Sequence, residues 1–515
     1  MPSLSLLLLA GLPLVAALLL PLLPATTASA RVRSLAALST AAQLLVGLAC
    51  WRDAPADLQL AWLPKLGLTF DLGLDGLTLP LVLLTALITT LAILATPADQ
   101  SRPRLFFPLL LATNLGVVGA LLARNALLFV LAFELVLIPT TLLVAIWGGE
   151  KRAGGAIRYL IYSAVSGLSL LGAVLALGWM NRNGLSFSYA DLAHVSLTPQ
   201  ASRWVLALLL LGFGLKLPIV PLHGWQPLTY GQSPTPVVML LAGCVSNLGA
   251  YGLLRFGVGF LPETWAAWSP WIAAAGAVSV VYGALNAIAQ ADIRLLMAYS
   301  SLGHMGLLVL AIAAATPMSL QGAVAQILAH GLIVALMFAC EGLIERKTGT
   351  TAIAELSGLL NPLRGLPFTA GMLLLALMAA AGIPGLAGFP AEMLVCEGSW
   401  TTCPRATLIC LLASGLTAVY AIRLFNRVGF GRLDNDRADW QATRWGERFP
   451  ALALSLLIIA AGIWPQSLVG WSERATSGLA LRSGFPSAQL ASARVRSGGA
   501  PTLAALLPAG GSATG

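Results

Sequence analysis

The sequence predicts an all-α polytopic membrane protein of about fourteen transmembrane helices, built as two inverted repeats with two broken helices. Three observations point there. Hydrophobic residues make up 58% of the 515-residue chain and charged residues 10%, with a mean hydropathy of +0.86. Segment after segment runs roughly 18 to 25 residues almost without charge, the length that crosses about 30 Å of hydrocarbon. Two of these segments are interrupted by clustered proline and glycine beside a lone ionisable residue.

Taken in order, the spans fall near 2–23, 33–50, 76–95, 105–122, 125–147, 158–179, 204–222, 235–257, 268–290, 295–316, 320–344, 367–398, 404–425 and 449–470. Lipid cannot satisfy exposed backbone groups, so each span must be a helix; the alternating segments of a barrel are missing and no strands are expected. Residues 1–470 read as one membrane domain. Residues 471–515, rich in Ser, Gly, Ala and Arg, read as a flexible tail. The first segment ends in TTASA, like a secretory signal, but lacks a basic leader and reads as a retained helix.

The net charge of +9 does not indicate a nucleic-acid binder, because the basic residues sit in short loops and form no stripe. They read as topology signals. Lys and Arg concentrate in the odd-numbered loops, including Lys151–Arg152, Arg346–Lys347 and the stretch 423–448, which places those loops in the cytoplasm and both termini opposite. The six cysteines show no zinc or iron–sulfur spacing and read as small buried apolar side chains. No cofactor or metal is expected on this chain.

The first interruption reads LKLPIVPLHGWQPL, with three prolines following Lys216; the second reads AGIPGLAGFPAEMLV, ending at Glu392. Proline removes a backbone donor and glycine relaxes the chain, so both helices should break at membrane depth, where a broken backbone must face protein or a wet cavity. Paired breaks in two halves of a chain point to a transport site at an inverted repeat.

An ionisable residue near the bilayer centre costs roughly 2.5–3.5 kcal/mol or more, so it normally faces the bundle interior and has a task. Lys216 is the one lysine inside an apolar span; burial disfavours the charged form of an amine, which makes gain and loss of a proton feasible, while a structural ion pair is the competing reading. Glu134 lies about nine residues into its span, roughly 14 Å deep, with Lys216 as its natural partner in a charge switch. Glu392 could end such a relay. His304 and His330 lie inside apolar helices beside small residues and suit a water-linked proton path, unless a carbonyl simply satisfies each ring. His223 follows the first break and lines or caps the site; His194 lies in a polar loop. Asp75 reads as a helix cap, and Asp292 and Arg294 sit at a helix start, where an N-cap or a loop ion pair suffices. Without a nucleophile–base pair or a phosphate loop, a self-contained enzyme is not indicated.

The segments FELVLIPTTLLVAIWGGEKR, LGFGLKLPIVPLHGWQPLTYGQSPTPVVMLLAG, DIRLLMAYSSLGHMGLLVL, QILAHGLIVALMF and AGIPGLAGFPAEM resemble, in order and spacing, the antiporter-like subunits of complex I. The resemblance covers roughly residues 70 to 470 and is strongest to chain 4, the M type. FGRLDN and WGERFPALALSLLIIAAGIWPQSLVGWSE resemble its cyanobacterial and plastid form, from the NAD(P)H–plastoquinone oxidoreductase of thylakoids. It implies two inverted five-helix repeats and a non-catalytic, proton-translocating subunit of a translocase. FMN or iron–sulfur clusters and plastoquinone would sit on partner subunits, with adjacent antiporter-like chains, peripheral redox subunits and the bilayer as neighbours and no nucleic acid. Glu134 and Lys216 become the coupling pair, Glu392 the terminal carboxylate, and His304 and His330 the central histidines. One departure stands out: where the family has lysine in a pattern like LLKMGTYG, CVSNLGAYG places Asn247, which cannot carry a proton near neutral pH. Waters would then have to bridge the gap, or pumping is poor. Asn247 also hints at the CO2-uptake variant of the complex. A cation/proton antiporter subunit and a pure membrane scaffold are the remaining readings.

Overall fold

The computed structural model describes residues 2–52, 55–181, 184–431, 440–482 and 484. The N-terminal part runs α1 (Pro2–Leu19), α2 (Ser29–Arg52), β1 (Leu58–Leu63), β2 (Leu68–Leu72), α3 (Thr78–Ala95), α4 (Pro103–Leu122), α5 (Ala126–Leu135), α6 (Leu137–Trp147) and α7 (Arg152–Trp179). The middle adds α8 (Tyr189–Leu192), α9 (Pro199–Lys216), α10 (Gln226–Gln232), α11 (Thr235–Leu240), α12 (Ser246–Gly252) and α13 (Pro262–Ala289). The last part comprises α14 (Ile293–Ala314), α15 (Pro317–Thr348), α16 (Pro367–Ala380), α17 (Gly388–Trp400), α18 (Pro404–Val428), α19 (Trp445–Ile463), α20 (Gln466–Val469) and α21 (Glu473–Arg482).

Twelve helical segments among the described residues are long and apolar enough to cross a membrane. With the interrupted pairs α9–α10 and α16–α17, they account for the fourteen spans expected. Local chemistry sets the ends. Pro103, Pro199, Pro262, Pro317, Pro367 and Pro404 open helices at the turn where a missing N–H costs nothing. Asn125 Oδ1 accepts from the N–H groups of Leu127 and Leu128, and Thr316 and Ser319 form a capping box on α15.

The spine of the bundle is α15, buried along its apolar length and packed on α14, α16, α17, α19, α3 and α11. The segment Thr235–Val258 is as deeply enclosed. It is not a plain α-helix: π-helical turns at Leu241–Val245 and Leu253–Val258 flank α12, a feature with no signature in hydropathy. Helices α13 and α14 meet through glycines, and a Cβ on Gly283 would fall 2.6 Å from the Gly303 nitrogen. Without a hydrophobic drive between helices in lipid, such close backbone approach is what holds them. The rim helices α1, α2, α18 and α19 turn Leu18, Leu38, Leu412 and Ile463 outward, as lipid-facing surfaces do.

Strands do occur. β1 and β2 pair antiparallel, Leu60 opposite Phe70, around Gly67 at φ +65°. The hairpin lies in the connection before α3, outside the hydrophobic spans, where water can satisfy its free edge, so the argument against strands in lipid does not reach it. Asp75, after the hairpin, caps α3 as expected, its Oδ1 accepting from the Leu77 and Thr78 N–H groups at 3.0 Å. It also pairs with Arg124 (2.8 Å) and with Arg255. Burial pushes its carboxyl up, but the Arg255 and Arg124 guanidinium groups outweigh this and hold it well below the usual carboxylate range. Past residue 471 the chain is not loose from the start: α21 buries Thr476, Leu479 and Ala480 and packs on α15. Residues 485–515, and most of FGRLDN, lie outside the described residues.

All six cysteines are unpaired, and all but Cys396 are buried.

Candidate functional site

The first break begins where α9 ends at Lys216. Its freed backbone groups find partners in the protein: Val220 N–H donates to Ser279 Oγ (3.0 Å) and the Leu215 carbonyl accepts from Trp225 Nε1 (2.7 Å), while the Gln226 side chain ties the segment to α14 by donating from Nε2 to the Ala298 carbonyl (3.1 Å). Lys216 is 1% exposed. Its Nζ donates to the Tyr159 hydroxyl at 3.2 Å and lies 4.9 Å from the Phe133 ring centroid and 5.2 Å from that of Tyr159. The ammonium is therefore held in an aromatic cage with one hydroxyl, an arrangement that stabilises a cation away from water.

Glu134 closes α5, one residue beyond Phe133. Its expected ion pair with Lys216 does not form: no Glu134 oxygen lies within 4.0 Å of Nζ. Helix α7 explains why. It presents Tyr159 to the lysine and, two turns on, Gly167 to the carboxylate, which occupies the space where a Cβ on Gly167 would stand. Glu134 is half-buried, and Leu131, Leu135 and Ile138 beside it are exposed, so this carboxylate sits toward the lateral surface of the bundle.

The second break brings Glu392 onto α17. Gly382 and Gly385 adopt positive φ of 68° and 90°, and Ala387 N–H donates to the Ile458 carbonyl of α19 at 3.0 Å. Glu392 Oε2 accepts from Ser414 Oγ (2.9 Å), and Oε1 lies 3.6 Å from His304 Nδ1. The His304 and His330 ring centroids are 6.0 Å apart, and His330 Nε2 lies 3.0 Å from Ser301 Oγ. Ser300, Ser301, His304, Gln326, His330 and Glu392 line one cavity, with room for about one water. Glu392 Oε1, His304 Nε2, His330 Nδ1 and Gln326 Oε1 are buried without a hydrogen-bond partner.

Asn247, 3% exposed, lies on α12, which packs against both α9 and α15. Its Nδ2 donates to the Gly243 carbonyl in the first π turn (2.7 Å) and to the Ile327 carbonyl on α15 (3.4 Å); Oδ1 has no partner. His223 joins neither centre: its ring rests against Tyr282 at 4.8 Å, and its Nδ1 is unpartnered.

Several contributors were not apparent in the sequence. Tyr159, Ser414 and Gln326 are common residue types, although Gln326 stands four residues before His330 on the same face of α15, a spacing that could have marked it. Arg294 pairs not with Asp292 but with buried Glu341 (2.9 Å) and with Glu345 (2.8 Å). Asp292 caps α14 by accepting from Leu295 N–H. Among the described residues no group of three or more His, Cys, Asp or Glu is placed to hold a metal ion.

A family model described as "NADH:quinone oxidoreductase/Mrp antiporter, TM" matches residues 123–417. The chain is 36% identical over 471 residues to NAD(P)H-quinone oxidoreductase chain 4 2 of Thermosynechococcus vestitus, covering 88% of each. It is 37% identical over 495 residues to chain 4 1 of a Synechococcus species, covering 92% of this chain and 93% of the other. Among solved structures it is similar to a chain of respiratory complex I from Thermus thermophilus, with TM-score 0.85, 28% identity, and coverage of 94% and 100%. It also shares the fold of a chain of the Mrp complex from a Dietzia species, with TM-score 0.83, 21% identity, and coverage of 93% and 97%.

Proposed function

Because the chain belongs to the NADH:quinone oxidoreductase/Mrp antiporter family, we propose that it moves protons as a membrane subunit of a type I NAD(P)H–quinone oxidoreductase, along a line from half-buried Glu134 through Lys216 to Glu392. The observation that carries this is the cluster at the second break. A carboxylate, two imidazoles and two serine hydroxyls meet in a small enclosed cavity, several of their polar atoms without protein partners. Such groups are kept inside a membrane when they have work to do.

The roles divide by chemistry. Glu134, at the lateral surface, takes or gives a proton toward a neighbouring subunit and thereby sets the field at Lys216. Lys216 holds its proton within the aromatic cage and releases it when Glu134 becomes protonated. His304 and His330 can both donate and accept, so each passes a proton without net change of its own. Glu392, 3.6 Å from His304, completes the transfer after a small side-chain rotation or through one water. Asn247 positions water by its free Oδ1 but carries no proton itself. His223 lines the approach behind the first break.

In this reading the electrons move elsewhere. FMN or iron–sulfur clusters and plastoquinone belong to partner subunits, NAD(P)H or ferredoxin is the donor, and the complex sits in a photosynthetic, thylakoid-type membrane. The CO2-uptake variant is the second reading, favoured by Asn247 in place of a lysine. The test is Glu392→Gln in sealed inverted vesicles carrying the assembled complex. Proton uptake should fall about tenfold or more, as loss of a positioned proton-transfer group does, while assembly on native gels is unchanged. Full proton uptake in that variant would remove Glu392 from the path.

A further inference from the structure

Helix α18 carries more than the serine that binds Glu392. Ser414, Thr417, Tyr420, Leu424 and Arg427 recur at intervals of three and four, and so share one face of the helix. Thirteen residues separate Ser414 from Arg427, about 20 Å at 1.5 Å per residue. The stripe thus runs from the Glu392 carboxylate to the end of the bundle that holds the basic connections.

Two cavities follow it. At the outer end, one of about 340 Å³ is lined by Gln290, Tyr420, Arg423 and Arg427, space for roughly ten waters at about 30 Å³ each. Further in, a cavity of about one water's size is lined by Ser300, His304, Ser414, Thr417 and Tyr420. Ser300 and His304 also line the cavity that holds Glu392. Tyr420 alone borders both the outer and the inner space. It is 2% exposed, and its hydroxyl donates to Ser300 Oγ at 2.7 Å. Arg423 and Arg427 are exposed, so water and salt screen their charges and do not close the mouth to protons.

We propose that these cavities form an access route by which protons reach the His304–Glu392 centre from the face of the Arg-rich connections, with the Tyr420 hydroxyl as its gate. The proposal rests on the reading of that centre as proton-carrying. In the transfer, the Tyr420 hydroxyl takes a proton from the water chain of the outer cavity as its own proton passes to Ser300. Ser300 passes its hydroxyl proton to His304 through the inner cavity. Each hydroxyl ends as it began, and His304 gains one proton.

The experiment compares Tyr420→Phe with Glu392→Gln in the assembled complex, in sealed inverted vesicles. Phenylalanine keeps the ring that fills the space and removes only the hydroxyl. Tyr420→Phe should lower proton uptake per electron transferred by about tenfold, with normal assembly and electron transfer. A fall in Glu392→Gln with full uptake in Tyr420→Phe overturns the access route and leaves the functional reading standing. Full uptake in both overturns the route and the reading together. Should Tyr420→Phe fail to assemble, Ser300→Ala carries the same expectation. A second measurement is independent of pumping: Ala291→Cys, on the wall of the outer cavity, should react with a membrane-impermeant maleimide from the face of the Arg-rich connections only. Reaction from neither face, or from the opposite face, overturns the route.

Discussion

The two breaks solve one problem in different ways. At the first, a single ammonium is enclosed by the faces of Phe133 and Tyr159 and by one hydroxyl, with its carboxylate neighbour turned away onto Gly167. At the second, a carboxylate, two imidazoles and three serines form a connected set in contact with small cavities. The first is a lone amine enclosed by aromatic faces; the second is a cluster of groups that can each donate and accept, and in the proposed reading it would serve as the relay. The contrast teaches that a broken transmembrane helix creates only the opportunity for a buried polar site. What fills it, aromatic faces or hydroxyls, decides whether the site stores charge or passes it on.

The sharpest way to break this contrast is Lys216→Met, which keeps the volume and removes the charge. Proton uptake in vesicles should fall about tenfold with electron transfer retained; unchanged uptake would make the cage a structural feature alone. Next in size is Asn247→Leu, which severs the bonds to the Gly243 and Ile327 carbonyls. Counting only the 2.7 Å bond to Gly243, since the 3.4 Å contact is weak, a loss of about 1 kcal/mol corresponds to a roughly fivefold fall in uptake. An equal fall with electron transfer also lost would instead mark a folding defect. The smallest effect is expected outside both centres. Asp75→Asn should leave uptake per assembled complex intact and lower thermal stability at neutral pH by about 1 kcal/mol, the scale of a partly exposed ion pair. The folded-state carboxyl of Asp75 is held below its unfolded value, so its contribution is present above roughly pH 4 and is lost as pH falls through the folded value. A thermal-shift series from neutral to acid pH should therefore show the variant and the parent converging at the acid end.

Much of this was legible in the chain. Long uncharged runs fixed the spans, and proline with glycine fixed both breaks, because each acts locally on the backbone. Lys216, Glu134 and Glu392 were conspicuous since charge is so rare in these segments. What each charge touches was not legible, because that depends on helices distant in sequence. Lys216 was expected against Glu134, yet Tyr159 and Gly167, eight residues apart on α7, hold the two apart. Ser300, Ser414 and Tyr420 are unremarkable singly and acquire meaning only when α14, α17 and α18 converge. Glu341 was overlooked beside the basic end of α15, although it is fully buried against Arg294. The π turns around Asn247 leave hydropathy unaltered.

Asn247 has a consequence for timing. Its amide is pinned between two helices, and it offers water an acceptor but no resting place for charge. On the proposed path, a proton crossing that interval could not pause there, so departure from one half and arrival in the other would become a single event. A lysine at this position would act as a reservoir and let the halves fill and empty out of step. With asparagine the proposed path would work as a siphon between two basins, its rate set by how often both ends are ready at once.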